Sequence, residues 1–265
     1  MHAFTIAAIV VAAITQSKAS ATDRDWAWDN NSSVCTLDQE FRGESGSLTI
    51  SRTPGNGATG VTVQVPGKSL VRAPVPDIKV TLEPGGPVSA TAYVGFDPEH
   101  PLQRVVSITV EDQTFLDRLA HAASITLEGK RVDQRRVIIR SAGAAVQALR
   151  RCEDAKMRSW GIDPVAWRAL RSPPVQTAEP VITHKDYPTD RVARGSSGKV
   201  VVRMTVSGDG AVKDCVSLLP RSGPTFVRAV CRAFTKRARF APAQDSAGRP
   251  VEAPYVAYVN FVMLG

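Results

Sequence analysis

Gly198-Lys199-Val200-Val201-Val202-Arg203-Met204-Thr205-Val206 runs into Ser207-Gly208-Asp209-Gly210 and then into Ala211 to Leu219. Val200, Val202, Met204 and Val206 alternate onto one face, which is the period of a strand. The tetrapeptide predicts a hairpin turn, because Gly supplies positive φ there, and the chain returns as a second strand. Beyond Pro224 the period changes. Phe226, Val227, Val230, Cys231, Phe234 and Ala238 form the apolar stripe of a helix from about Thr225 to Arg237, with Arg228, Arg232, Lys236 and Arg239 along its opposite side. Phe240-Ala241-Pro242-Ala243 ends the helix, Ala247-Gly248-Arg249-Pro250 turns, and Val251 to Met263 reads as a long last strand. Tyr187-Pro188 opens a short helical segment that ends near Gly195. The order is short helix, strand, strand, helix, strand.

The residues before this unit read differently. Strand patterns at Ser47–Arg52, Val61–Val65, Ile78–Leu82, Thr91–Phe96 and Val105–Val110 are separated by Pro54-Gly55-Asn56-Gly57, Pro66-Gly67 and Pro84-Gly85-Gly86-Pro87. A helix is expected over Thr114–Ala122, a strand pair at Ile125–Leu127 and Val137–Arg140, and a second helix capped by Ser141 that runs to about Met157. Asp163-Pro164 starts a short helix to about Leu170, and the proline-containing stretch from Ser172 to Pro180 reads as an extended linker. The fold class is therefore α+β: a strand-rich sandwich or meander with two helices over 22–160, a helix and linker over 161–184, and a small antiparallel domain over 185–265.

The chain has 265 residues, 43% hydrophobic and 22% charged, with a net charge of +8, a composition that excludes disordered and collagen-like classes. The charge is uneven: residues 22–179 carry equal numbers of acidic and basic side chains, whereas residues 180–265 carry 13 basic and 6 acidic ones. Ala3 to Ile14 is uncharged and apolar, and is followed by Ala19-Ser20-Ala21, the pattern of a secretory signal peptide over 1–21 cleaved after Ala21. An uncleaved anchor is the alternative. Export makes Cys35, Cys152, Cys215 and Cys231 candidates for disulfides, and the simplest pairing is Cys35–Cys152 and Cys215–Cys231. Free buried thiols are the competing reading, and zinc lacks the C-x-x-C or H-x-x-x-H spacing it requires, so neither metal nor cofactor is expected.

Six stretches in order resemble the C-terminal domain of the TonB energy transducers. They are Asp186-Tyr187-Pro188, the Gly195-x-x-Gly198-x-Val200-x-Val202 run, Gly208-Asp209-Gly210-x-Val212, Arg239-Phe240-x-Pro242-Ala243, Gly248-Arg249-Pro250-Val251, and Val259-x-Phe261. The resemblance implies binding rather than catalysis: a segment of an outer-membrane receptor, the TonB box, pairs as an extra strand on a sheet edge. The expected edge is the last strand, Tyr255, Val256, Ala257, Tyr258, Val259, Asn260 and Phe261, unless it is paired internally or in a homodimer. The basic helix face is either a solvated surface or an attractor for acidic receptor segments, lipid headgroups or cell-wall polymer.

The expectation is a non-enzymatic periplasmic protein of TonB-dependent, siderophore-type nutrient transport. An inner-membrane motor is a further partner if the N-terminus stays as an anchor. The alternative is a soluble periplasmic adaptor or envelope-binding protein. His100, His121 and His184 are isolated, no nucleophile or nucleotide motif is present, and nucleic acid is not expected as a partner.

Overall fold

The computed structural model describes residues 25–29, 33–67, 73–96, 102–130, 132–177, 181–219 and 222–262. The expected signal segment, His100, the end of the proline-containing stretch and Met263 lie outside the described residues.

Alternating sequence gives alternating burial through the first half. In chain order the strands are β1 (Ala27–Asp29), β2 (Cys35–Glu40), β3 (Ser47–Arg52), β4 (Thr59–Pro66), β5 (Ala73–Pro74), β6 (Lys79–Glu83), β7 (Gly86–Val88), β8 (Thr91–Phe96), β9 (Gln103–Val110), β10 (Ser124–Gly129) and β11 (Val132–Ile138). They form two sheets, β1-β2-β3-β4-β9-β8-β5 and β11-β10-β6-β7, antiparallel throughout. Both contribute to one core, with Leu48, Ile50, Val61 and Ile108 from the first and Leu82, Ile125 and Leu127 from the second. Buried Gln39 joins them, since its amide donates to the Ile138 carbonyl at 2.7 Å and accepts the Arg140 N–H at 2.8 Å.

Helix α1 (Phe115–Leu119) is shorter than its pattern suggested, and α2 (Ala142–Ser159) buries the expected Ala145, Val146, Leu149 and Cys152. Ser141 does not cap α2. Its backbone is left-handed (φ 50°), and its hydroxyl donates to Asp25 instead, at 3.2 Å. β11 ends at Ile138 rather than reaching Arg140, whose guanidinium pairs with Asp25. The Cys35–Cys152 disulfide fixes α2 to β2, and the buried Arg52–Glu153 pair (2.9 Å) fixes it to β3.

Two short elements precede the last domain: α3 (Pro164–Arg168), capped by the Asp163 carboxylate on the Val165 N–H, and β12 (Val175–Gln176). The proline-containing stretch is extended but not a free linker. β12 pairs with β15 (Phe240–Ala241), Ser172 bridges Gln244, and the Thr177 N–H donates to the Arg239 carbonyl. Prolines prevent a helix here, while the main-chain groups that remain still require partners.

The last domain has a 3₁₀ turn (His184–Asp186), α4 (Thr189–Val192), β13 (Gly198–Val206), β14 (Val212–Ser217), α5 (Pro224–Arg237), β16 (Ala243–Gln244), β17 (Pro250–Val251) and β18 (Ala253–Phe261). The main sheet is β14-β13-β18, antiparallel, with β13 central. Val200, Val202, Met204, Tyr255, Ala257 and Phe261 pack with Phe226, Val230 and Phe234 of α5. The opposite residues Val201 and Val256 pack with Met157, Ile162 and Trp167, so the end of α2 and α3 cover the face that α5 leaves open. The Cys215–Cys231 disulfide ties β14 to α5.

The two disulfides close loops of 117 and 16 residues, which the chain-entropy relation converts to about 5 and about 3 kcal/mol. Unreduced protein is expected to show no titratable thiol; two per molecule would contradict the second pairing, and reduction should lower the thermal midpoint. Trp167→Ala empties the junction between domains, and should cost about 3–5 kcal/mol in denaturant unfolding.

Candidate functional site

The candidate site is the outer margin of β18, and its geometry follows from strand alternation. In an antiparallel ladder, successive residues turn their N–H and C=O groups alternately toward and away from the partner strand. The Val256 N–H points away from β13, because it donates to the Gly55 carbonyl at 3.0 Å. The same alternation turns Pro254, Tyr258 and Asn260 outward. Proline has no N–H, and 254 is a position where none is required by the β13 ladder. That proline is the signal in the sequence that marks β18 as an edge.

The seven residues expected to form the binding edge therefore divide. Tyr255, Ala257, Val259 and Phe261 are committed to the β13 ladder and to the α5 side of the sheet. Val256 is outward but already met. Tyr258 and Asn260 are outward and exposed, and among the described residues no strand pairs on that side. The opposite edge, β14, is shorter and has a register shift between Thr205 and Val206, and it carries Lys213 and Asp214, features that blunt an edge against added strands.

Aromatic packing holds the far end of β18. The Tyr187 ring stands edge-on to Phe226 and Phe261, at 5.8 and 5.2 Å between centroids, and its hydroxyl donates to the Ser196 carbonyl. Gly198 is required there, since a Cβ would lie 2.5 Å from the Phe226 ring. Gly210 in the hairpin is equally constrained: φ is 84°, and a Cβ would lie 2.1 Å from the Phe240 carbonyl oxygen.

Asp186 joins the 3₁₀ turn to α5. Its carboxylate accepts from the Thr183 N–H (2.8 Å), the Thr183 hydroxyl (2.9 Å) and Arg237 (2.6 Å). Burial pushes this carboxyl up, but those hydrogen bonds and the Arg237 charge together outweigh it, and its pKa is lowered. Of the expected basic face, Arg228, Arg232 and Lys236 lie exposed along α5, whereas Arg239 is exposed beyond its end, because the backbone turns extended at Ala238. Among the described residues none of the first three has an acidic partner. His121 and His184 are exposed and far apart in the chain, and among the described residues no group of three or more His, Cys, Asp or Glu side chains is arranged to hold a metal.

The profile of the family described as Gram-negative bacterial TonB protein C-terminal matches residues 183–263. Over those residues the chain is similar to that family. The solution NMR structure of the Pseudomonas aeruginosa TonB CTD is 29% identical, over 35% of this chain and 88% of that chain, with a TM-score of 0.28. No curated protein matches the chain. Several of the residues that carry the resemblance face inward, with Tyr187 and Phe261 in the aromatic cluster, Gly198 and Gly210 at close approaches and Phe240 against Tyr255, whereas Asp209, Arg239 and Arg249 are exposed. Of the two outward edge residues, Tyr258 lies outside those stretches and Asn260 is the unspecified position of Val259-x-Phe261. Sequence reasoning did not find the contact at Val256, because Pro54-Gly55-Asn56-Gly57 reads only as a turn.

Asp186→Asn tests the joint between turn and helix. A carboxyl with a lowered folded pKa contributes stability that is complete above its unfolded value, near 4, and disappears as the pH falls through the folded value. The variant should be less stable than the parent at pH 7, with the difference closing in unfolding titrations run below about pH 4.

Proposed function

We propose that this is a non-catalytic, TonB-like periplasmic protein that takes an extended segment of an outer-membrane receptor as an added strand on β18. The observation that carries this reading is the outward main chain of Tyr258 and Asn260 on a family-matched domain. An incoming strand satisfies those N–H and C=O groups, and each rung needs only backbone, so many sequences are accepted. The lack of family-motif residues at the two outward positions agrees with recognition through main chain.

Under this reading the protein acts in TonB-dependent nutrient transport of the siderophore type, after export and removal of residues 1–21. If the N-terminal segment is retained instead, the protein faces the periplasm from the inner membrane and an inner-membrane motor becomes a partner. Among the described residues no helix is long and apolar enough to cross a membrane.

A second reading is favoured by the unpaired ridge Arg228, Arg232 and Lys236. It is a soluble adaptor whose α5 adheres to acidic envelope polymer while β18 takes a protein segment. A homodimer through paired β18 edges is the remaining occupant of the same groups. The mature N-terminus and its fractionation separate an anchored, motor-coupled protein from an exported one. A full-length chain in the inner membrane supports the first, and a chain that begins at Thr22 and stays in the periplasmic fraction supports the second.

Tyr258→Pro is the direct test of the edge. The substitution removes an outward N–H and places the ring where the added strand must lie, while leaving the β13 ladder intact, as Pro254 does. Titration of the chain from Thr22 with a TonB-box peptide should show binding that weakens at least about tenfold in the variant, equivalent to about 1.4 kcal/mol. Equal binding by parent and variant would overturn the assignment of β18.

A further inference from the structure

The first half of the chain reaches the same margin that the proposed function uses. The turn from Thr53 to Gly57 joins β3 to β4, and its tip lies against Val256. The Gly55 carbonyl accepts the Val256 N–H at 3.0 Å, and the Asn56 side-chain amide donates to the Val256 carbonyl at 3.1 Å. One acceptor and one donor offered to one outward residue are what a paired strand supplies at a single rung. Asn56 also donates to the Tyr255 hydroxyl at 3.1 Å. The tip is therefore a strand mimic, built from one carbonyl and one side-chain amide.

Its position is specified from below. Buried Arg52, held by Glu153, donates to the Gly57 carbonyl at 2.6 Å and to the Thr59 hydroxyl at 3.0 Å. The Asn56 N–H donates to the Thr53 carbonyl, and the Asn56 Oδ1 accepts the Ala58 N–H at 3.3 Å. Both ends of the Asn56 amide are in use, one holding the turn and one holding β18. Gly55 sits at φ 78°, and a Cβ there would meet Val256 Cγ2 at 2.9 Å, so only glycine allows this approach. Gly57, at φ 90°, is a second position in the tip whose left-handed backbone favours glycine. A cleft of about 190 Å³, lined by Asn56, Gly57, Gln113, Pro173, Val175 and Tyr255, lies beside the tip and leaves room for it to move.

We propose that the N-terminal domain regulates the receiving edge: the Thr53–Gly57 tip occupies the Val256 rung, and a partner strand longer than the Tyr258–Asn260 stretch must displace it. This proposal rests on β18 being the receiving edge. A short segment pairs with Tyr258 and Asn260 without disturbing the tip. A segment that extends to Val256 competes with Gly55 and Asn56, and its apparent affinity is reduced by the fraction of molecules in which the tip is closed. The Met157, Ile162 and Trp167 contacts lie on the face of the sheet rather than at its margin, so the tip withdraws without separating the domains.

Asn56→Asp isolates the effect. It keeps the oxygen that accepts the Ala58 N–H and removes the donor to Val256. Asn56→Ala serves as the second variant should the aspartate perturb folding. The probes are two fluorescent TonB-box peptides titrated into the chain from Thr22, one long enough to reach Val256 and one truncated to pair only with Tyr258 and Asn260. The expected result is about fivefold tighter binding of the long probe by the variant, the worth of one hydrogen bond, and no change for the short one. Hydrogen exchange at the Val256 amide should quicken in the variant before peptide is added. Unchanged affinity for the long probe, with Tyr258→Pro still weakening binding at least about tenfold, overturns the regulation and leaves the edge assignment standing. Failure of both probes to bind the parent and either Asn56 variant overturns both.

Discussion

A three-stranded sheet with one helix on it has a second apolar face, and that face must be covered. In this protein β14-β13-β18 buries Val200, Val202 and Met204 under α5, while Val201 and Val256 lie on the other side. A domain of about eighty residues is small for covering both faces by itself. The cover comes from Met157, Ile162 and Trp167, at the end of α2 and around α3, and Arg203 adds a hydrogen bond to the Trp160 carbonyl at 2.8 Å. Burial of these side chains couples the strand-rich half to the C-terminal domain. Once that contact is made, the turn between β3 and β4 is carried to the margin of β18. The position of the turn thus follows from the burial of the far face.

The same geometry separates specification from recognition. Several residues of the family pattern fill space or permit close approach: Gly198 beneath Phe226, Gly210 beneath the Phe240 carbonyl, Tyr187 between two phenylalanines. The edge itself offers main chain, and backbone pairing selects for extended conformation more than for side-chain identity. Pro254 and the Gly55–Asn56 contact limit how much of that edge is open, leaving Tyr258 and Asn260.

Electrostatics follow a similar division. The acidic side chains of the C-terminal domain are all engaged close to home. Asp186 holds Arg237 and the turn, Asp190 pairs with Arg191, and Asp209 closes the hairpin. Asp214 accepts the Thr205 N–H, Asp245 holds Arg249, and Glu252 pairs with Lys213. Part of the surplus positive charge, Arg228, Arg232 and Lys236, is left on the exposed side of α5. Isolated surface pairs contribute little to stability, so this arrangement matters chiefly for the field presented to a partner.

Local structure was legible in the order of the residues. Alternation at Val200 to Val206, the glycines of the hairpin and the stripe from Phe226 to Ala238 are short-range patterns, and each element they predict is present. Cysteine number and placement indicated the pairing that forms, and Pro254 marks an edge through the N–H it lacks. Ser141 misled because a residue type that favours capping acquired a different partner, Asp25, more than a hundred positions away. The contacts between distant segments emerge only in the folded chain: residues 172–177 pairing with 239–244, Trp167 under the sheet, and Asn56 on Val256, two hundred positions apart. The physical reason is that turns and helices are set by neighbours in the chain, whereas an unpaired edge and an uncovered face are satisfied by whichever distant segment the completed fold brings to them.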